Sequence, residues 1–262
     1  IIILPTPGLT LDQRLVEGSA MLPWLRTHHE NGAYIAGVCM GAAYLAEAGL
    51  LDGKKGTTHW AIAPDFARRY PKVDWRPDMF VTEEDRLLCS GGLTAAGDVS
   101  LYLVEKLCGH EVAVQTAKAL LLTMPRTHQS GYAVMPLSPP HDDERIRTVE
   151  SYLAQHFRDA HSTNDLAARA GMSVRTFIRR FKAATGRLPG AYLQTARIEA
   201  AKAMLEHGNA PIQTISCDVG YDDGAFFRAL FKRATGMTPA EYRARFAAME
   251  VRMRMEAEAP TA

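Results

Sequence analysis

This 262-residue chain lacks several features, and each absence excludes a class. No apolar run reaches the ~18–20 residues that a membrane span needs. No charged segment followed by an apolar stretch and a small-residue cleavage site opens it, which argues against a secretory leader. The opening Ile1-Ile2-Ile3-Leu4 is too short for a signal and reads as a buried strand entered midway, so the chain is expected to begin inside a domain. Only 4 cysteines occur: Cys39, Cys89, Cys108 and Cys217. None is spaced for zinc and nothing suggests a disulfide framework, so no metal and no cofactor are expected, and the cytoplasm is the expected compartment.

Charge of one sign is also missing overall, since the net charge is +1, but the two halves differ. Residues 1–142 carry 12 Lys+Arg against 15 Asp+Glu, a balance of −3, whereas residues 143–246 carry 16 against 11, a balance of +5. A basic second half suits nucleic acid, although a solvated face also reaches such a value.

What is present divides in two. Residues 135–142, Met-Pro-Leu-Ser-Pro-Pro-His-Asp, carry three prolines, which fix φ and remove donors. We read residues 131–142 as a linker between a domain over 1–130 and another over 143–246, with a frayed tail at 247–262. Before the linker, strands are expected at Ile1–Leu4, Tyr34–Val38 and Leu87–Ser90. Helices are expected at Leu11–Thr27, Ala42–Ala48, Leu101–Leu107 and Val112–Leu122. This alternation predicts a parallel sheet covered on both faces. After the linker nearly every segment reads as helix, beginning at Glu144 with Asp142 or Asp143 as cap. Pro189, Pro211 and Pro239 stand where a first helical turn tolerates proline.

The second half contains a repeat. Residues 166–192 and 215–242 share a pattern in which Phe181, Gly186, Pro189 and Tyr192 each match a residue 50 further on, while Gly171 and Gly220 are 49 apart. In each copy a short helix ends at a glycine, which supplies a left-handed turn. A polar residue, Ser173 or Asp222/Asp223, caps the next helix. That helix buries Phe177 and Phe181, or Phe227 and Phe231, at i,i+4, and turns Arg175 and Arg179, or Arg228, outward. This is the helix-turn-helix pattern, whose second helix fits the major groove. Many all-helical domains contain one such pair; two copies joined by a long helix over Pro189–His207 suit successive major grooves ~34 Å apart.

Residues 144–246 resemble the AraC/XylS family of DNA-binding domains. The resemblance is carried by Leu166-Ala-Ala-Arg-Ala-Gly-Met-Ser173, by Arg179-Arg-Phe-Lys182, and above all by Val219-Gly-Tyr-Asp-Asp223 through Phe231-Lys-Arg-Ala-Thr-Gly-Met-Thr-Pro239. It implies that Arg175, Thr176, Ile178 and Arg179 of the first reader face bases, Arg179 pairing with guanine O6 and N7. For Arg175 a phosphate contact is the alternative. Gly224, Ala225 and Arg228 are the corresponding positions of the second reader. Gly224 and Ala225 offer almost no hydrogen bonding, which leaves shape, methyl contacts or Arg228 alone. Lys182, Arg187, Lys232 and Arg233 are read as phosphate contacts or solvated charges.

In the first half, Tyr34-Ile-Ala-Gly-Val-Cys-Met-Gly-Ala-Ala43 reads as strand, sharp turn and helix with Cys39 at the turn. This is the nucleophile-elbow arrangement, and a helix N-terminus is expected to lower the thiol pKa. His59 is a candidate base or a packed structural histidine. Asp98 is read as the cap of a helix starting near Val99.

This half resembles the PfpI-like branch of the class I glutamine-amidotransferase-like superfamily. The motifs are Gly37-Val-Cys-Met-Gly-Ala42, Leu45–Gly53, Thr57-Thr-His-Trp60, Ser90-Gly-Gly92 and Ala95-Ala-Gly-Asp98. The resemblance implies a flavodoxin-like α/β fold, here without its first strands. Family proteases place His directly after the cysteine, where this chain has Met40, and the family's acidic partner is not visible. The two halves together resemble GlxA-type regulators, in which the α/β domain is a sensor and dimerisation unit and not a working enzyme. Such a regulator would bind double-stranded DNA, form a homodimer, take a small-molecule effector and have no membrane partner. Cys39, Met40 and His59 are then the ligand-pocket candidates. For Cys39 a structural thiol or a catalytic nucleophile stays open, the latter in a cysteine hydrolase or hydratase similar to isonitrile hydratase. Family members also often show an Arg…Gln pair where Arg126 and Gln129 stand here.

Overall fold

The computed structural model describes residues 1–8, 10–124, 126–133 and 137–248. The chain divides into two units, Ile1–Val134 and Met135–Ala262. Among the described residues, no helix is long and apolar enough to cross a membrane.

The first unit runs β1 (Ile2–Leu4), α1 (Leu11–Glu17), α2 (Met21–Glu30), β2 (Ile35–Val38), a 3-10 turn (Cys39–Gly41), α3 (Ala42–Glu47), β3 (Lys55–Gly56), α4 (Ala63–Arg69), β4 (Asp74–Trp75), β5 (Val81–Glu84), β6 (Leu87–Ser90), α5 (Ala95–Cys108), α6 (His110–Ala119) and a second 3-10 turn (Ser130–Tyr132). Its main sheet has the order β1-β2-β6-β5. Ile35 lies opposite both Ile2 and Leu87 in parallel pairings. Every residue of β2 and β6 is buried, as expected for central parallel strands with both faces covered. Alternation sends Ile35, Leu87 and Cys89 into a core with Leu15, Leu25, Leu45 and Phe66. It sends Ala36, Val38 and Leu88 to the other face, against Val99 and Leu103 of α5.

The expected parallel sheet carries one antiparallel edge, where β5 pairs with β6. Only Asp85 and Arg86 separate these strands, both at positive φ (52° and 60°). A two-residue turn of that kind closes a hairpin, whereas a parallel return needs a crossover of roughly a dozen residues. The single helix expected over 11–27 is two helices, broken at Gly18, where a Cβ would stand 3.1 Å from the Tyr44 ring. The helix expected from Leu101 begins at Ala95, which places Asp98 inside its first turn and overturns the capping role.

The second unit is all helix: α7 (Glu144–Gln155), α8 (Thr163–Arg169), α9 (Val174–Thr185), α10 (Pro189–His207), α11 (Ile212–Asp218), α12 (Gly224–Thr235) and α13 (Pro239–Phe246). Two cores share α10. Its Tyr192 joins Ile146, Val149, Leu166, Phe177 and Phe181, and its Ile198, Ala201 and Leu205 join Ile215, Val219, Phe227 and Phe231. Asp143 caps α7, accepting from the Ile146 N–H.

Of the expected linker, residues 134–136 lie outside the described residues. Residues 131 and 132 belong instead to the first unit's 3-10 turn, with Tyr132 edge-on to Phe80, and the part from Leu137 on is fastened to α7: the Ser138 hydroxyl donates to Glu150, and His141 Nε2 lies 2.7 Å from the same carboxylate. Of the tail, 249–262 lie outside the described residues, while the Ala248 N–H donates to the Glu206 carbonyl at 3.0 Å.

Candidate nucleic-acid interface and the cysteine turn

The repeat seen in sequence is a repeat of geometry. Gly171 and Gly220 take left-handed φ of 61° and 84° between paired helices. Ser173 caps α9, accepting from the Thr176 N–H at 3.3 Å; Asp223 caps α12, accepting from the Ala225 and Phe226 N–H groups at 2.8 and 3.1 Å. Thr185 donates its hydroxyl back to the Phe181 carbonyl at 2.8 Å, and Thr235 does the same to Phe231 at 2.8 Å. Phe181 meets Tyr192 edge-on at 5.3 Å between ring centroids, and Phe231 meets Tyr242 at 5.4 Å. Each copy thus fixes the roll of its second helix through two stacked phenylalanines and one tyrosine, and thereby fixes which side chains face out.

On α9 those are Arg175 and Arg179, both exposed, together with Lys182. Thr176 is half-buried and its hydroxyl takes the Ser173 hydroxyl at 3.0 Å. Ile178 is partly buried against the first core, so it stands off the outward face assigned to it. Arg180 donates Nε and Nη2 to the two Asp143 oxygens, both at 2.8 Å, and holds that carboxyl below its ordinary pKa. It therefore ties the reading helix to the cap of α7.

On α12, Ala225, Arg228, Lys232 and Arg233 are exposed, but Gly224 is buried. A Cβ on Gly224 would lie 2.1 Å from the Gln213 amide oxygen, so this residue faces α11 and not a base. Arg187 is half-buried with Nη1 enclosed and unpartnered, which sets it apart from the freely exposed Lys182, Lys232 and Arg233.

Three contributors escaped the sequence reading. Phe226 is 53% exposed on α12. Ala229, 50 residues after Arg179, is exposed as well, and the repeat offset could have found both. Arg197 of α10 donates to the carbonyls of Phe157, Asp159 and Gly220 at 2.7, 2.9 and 3.0 Å, which stitches the second reader's turn to the end of α7. No local signal marks it.

In the first unit, Cys39 follows β2 at the carboxyl end of the parallel strands with φ of 55°, the elbow expected. Close approach explains the flanking glycines: a Cβ on Gly37 would lie 2.7 Å from Ala42 Cα, and one on Gly41 2.3 Å from the Leu4 carbonyl oxygen. The thiol's electrostatics correct the expectation. Burial raises the Cys39 pKa above the ordinary thiol value, and hydrogen bonds from the Met40 N–H, the Thr6 hydroxyl and the His59 N–H only partly offset this.

His59 thus serves the thiol through its backbone. Its Nδ1 accepts from the Ala61 N–H at 3.1 Å, and burial lowers the imidazole pKa. Met40 is partly buried between the two cores of the unit. Ser90, opposite Val38 in the sheet, is fully buried with its Oγ unpartnered. Gln129 is buried, its amide donating to the Thr58 carbonyl at 2.8 Å and the Met79 carbonyl at 3.0 Å.

Residues 1–106 match the DJ-1/PfpI family, and residues 166–245 match a helix-turn-helix domain family. The chain joins a DJ-1/PfpI domain to an AraC-type helix-turn-helix domain. It is similar to the HTH-type transcriptional regulator CdhR of Pseudomonas aeruginosa, 26% identical over 86% of this chain and 67% of that one. ArgR of the same organism, also named an HTH-type transcriptional regulator, is 28% identical over 81% of this chain and 65% of that one. GlxA of Rhizobium meliloti, likewise so named, is 28% identical over 87% and 70%. The chain therefore spans about two thirds of the length of these relatives.

Proposed function

We propose that this chain is a sequence-specific DNA-binding transcription regulator whose AraC-type domain reads double-stranded DNA with α9 and α12. The observation that carries this reading is the doubled helix-turn-helix built on one α10, its second helix capped by a side chain in each copy, with Arg175 and Arg179 exposed on the outward face of α9. At about 1.5 Å per residue α10 is roughly 28 Å long, which suits two readers in successive major grooves. Arg179 serves as the guanine reader; Lys182, Lys232 and Arg233 neutralise phosphates.

The DJ-1/PfpI domain serves as the sensor of a small metabolite or as the surface of a homodimer, in the cytoplasm. Cys39, Met40 and His59 surround the effector in this reading, and the unpartnered Ser90 hydroxyl beside them supports a polar ligand. A cysteine hydrolase is disfavoured: the thiol is held protonated and its histidine contact is through the backbone.

The deciding experiment is binding of the purified chain to its neighbouring promoter DNA and to random DNA at two salt concentrations. Preference that persists near physiological salt supports the reading. Equal binding that collapses with salt leaves only electrostatic attraction and overturns it.

A further inference from the structure

The two readers carry opposite chemistry at equivalent positions. The stacked pairs Phe177/Phe181 and Phe227/Phe231 set the register at 50 residues, so Arg175, Thr176 and Arg179 of α9 correspond to Ala225, Phe226 and Ala229 of α12. At 3.6 residues per turn, Ala225, Phe226 and Ala229 form one face, opposite the buried Phe227, Leu230 and Phe231. Arg228 corresponds instead to the partly buried Ile178 and stands on the flank of that face. The centre of the second reading surface therefore presents two methyl groups and a half-exposed phenyl ring whose inner edge rests on Tyr221, 5.8 Å between centroids.

Such a face donates and accepts nothing, so it cannot pair with the polar edges of guanine, adenine or cytosine. The apolar group on a major-groove floor is the C5-methyl of thymine. Of the exposed cations, Arg228 stands on one flank, and Lys232 and Arg233 continue the same stripe towards the end of the helix, where they suit a phosphate backbone; Asp222 is the exposed carboxylate near its start, and the carboxylate of Asp223 is occupied in capping. Resting on the DNA-binding function proposed for this domain, we propose that α12 recognises thymine methyl groups through Ala225, Phe226 and Ala229. The operator then has two unlike half-sites about one helical turn apart, guanine beneath α9 and thymine beneath α12.

The test is selection of a randomised duplex library by the full chain, followed by replacement of each enriched thymine with uracil, which removes the methyl and nothing else. One thymine-rich half-site should emerge, and uracil there should weaken binding about three- to fivefold per methyl contacted. Phe226→Ala should remove the penalty at the thymine that the ring touches and leave any at Ala225 or Ala229, whereas Arg179→Ala should leave the whole penalty in place and relax the other half-site. Since uracil is tested on the unaltered protein, the result does not depend on the variants folding. A selected sequence with no thymine requirement in either half, or one indifferent to uracil, overturns the inference alone. No enrichment of any sequence overturns the DNA-reading function and the inference with it.

Discussion

Asp98 accepts from Arg126 twice over: its carboxylate takes the backbone N–H at 2.7 Å and the guanidinium at 2.6 Å. Asp98 is buried in the first turn of α5, and the guanidinium lies over the Phe80 ring at 4.2 Å. The pair fastens the end of the first unit to its sheet and helices. Removing one charge leaves the other enclosed and unpaired, so Asp98→Asn should cost about 3 kcal/mol. All three tryptophans, Trp24, Trp60 and Trp75, lie in this unit. Urea unfolding followed by tryptophan fluorescence therefore reads this unit directly, and an unchanged midpoint would remove the pair from its stability.

Two glycines four residues apart should behave differently. Gly220 has φ of 84°, and a Cβ there would lie 2.4 Å from the Arg158 carbonyl oxygen, which is backbone. Gly220→Ala should destabilise the second unit by about 2 kcal/mol or more. A Cβ on Gly224 meets only the far end of the exposed Gln213 side chain, which can swing away. Gly224→Ala should shift stability by less than about 1 kcal/mol. Helical circular dichroism against temperature separates the two, and equal losses would contradict the contact geometry.

Arg179 is exposed on α9, one turn beyond the exposed Arg175. Arg179→Ala should cost about 1–3 kcal/mol on the preferred duplex and relax specificity at one base pair. Equal losses on preferred and random DNA would reassign Arg179 to a phosphate. Arg180→Ala should act through stability instead, because its guanidinium is engaged by Asp143.

The second unit was legible because it is written twice. The glycine turn recurs 49 residues on, the capping residue and stacked phenylalanines 50 residues on, and local signals of that kind survive into the fold. The first unit was legible only along its buried strands. β3 and β4 have two residues each, too few for any period, and β5 places Glu83 and Glu84 at a sheet edge, where Glu83 is held by Lys106 at 2.7 Å. Asp98 near a helix start resembles a cap, and only the fold reveals its partner 28 residues away. Gln129 gives no local sign of its bonds to Thr58 and Met79, 71 and 50 residues away. Sequence shows the helix after the turn, which favours a thiolate, but not the enclosure that desolvates the Cys39 thiol and raises its pKa.

That enclosure makes a last prediction about pH. Cys39 and Cys89 are both raised by burial, Cys89 from 9.0 up to about 11. In the unfolded chain these thiols ionise near the ordinary value, while in the folded unit they stay protonated. Above that value the unfolded state binds fewer protons than the native one, so stability falls as pH rises. Their contribution is fully present below about pH 9 and is lost as pH climbs through the raised values, near 11 for Cys89. The urea midpoint of the first unit should drop across that window, and Cys89→Ala should flatten the drop even if it lowers the midpoint throughout. In the same way, iodoacetamide at neutral pH should label the exposed Cys108 and Cys217 well before Cys39. Faster labelling of Cys39 than of those two would mean an activated thiolate, and the first unit would then have to be treated as an enzyme.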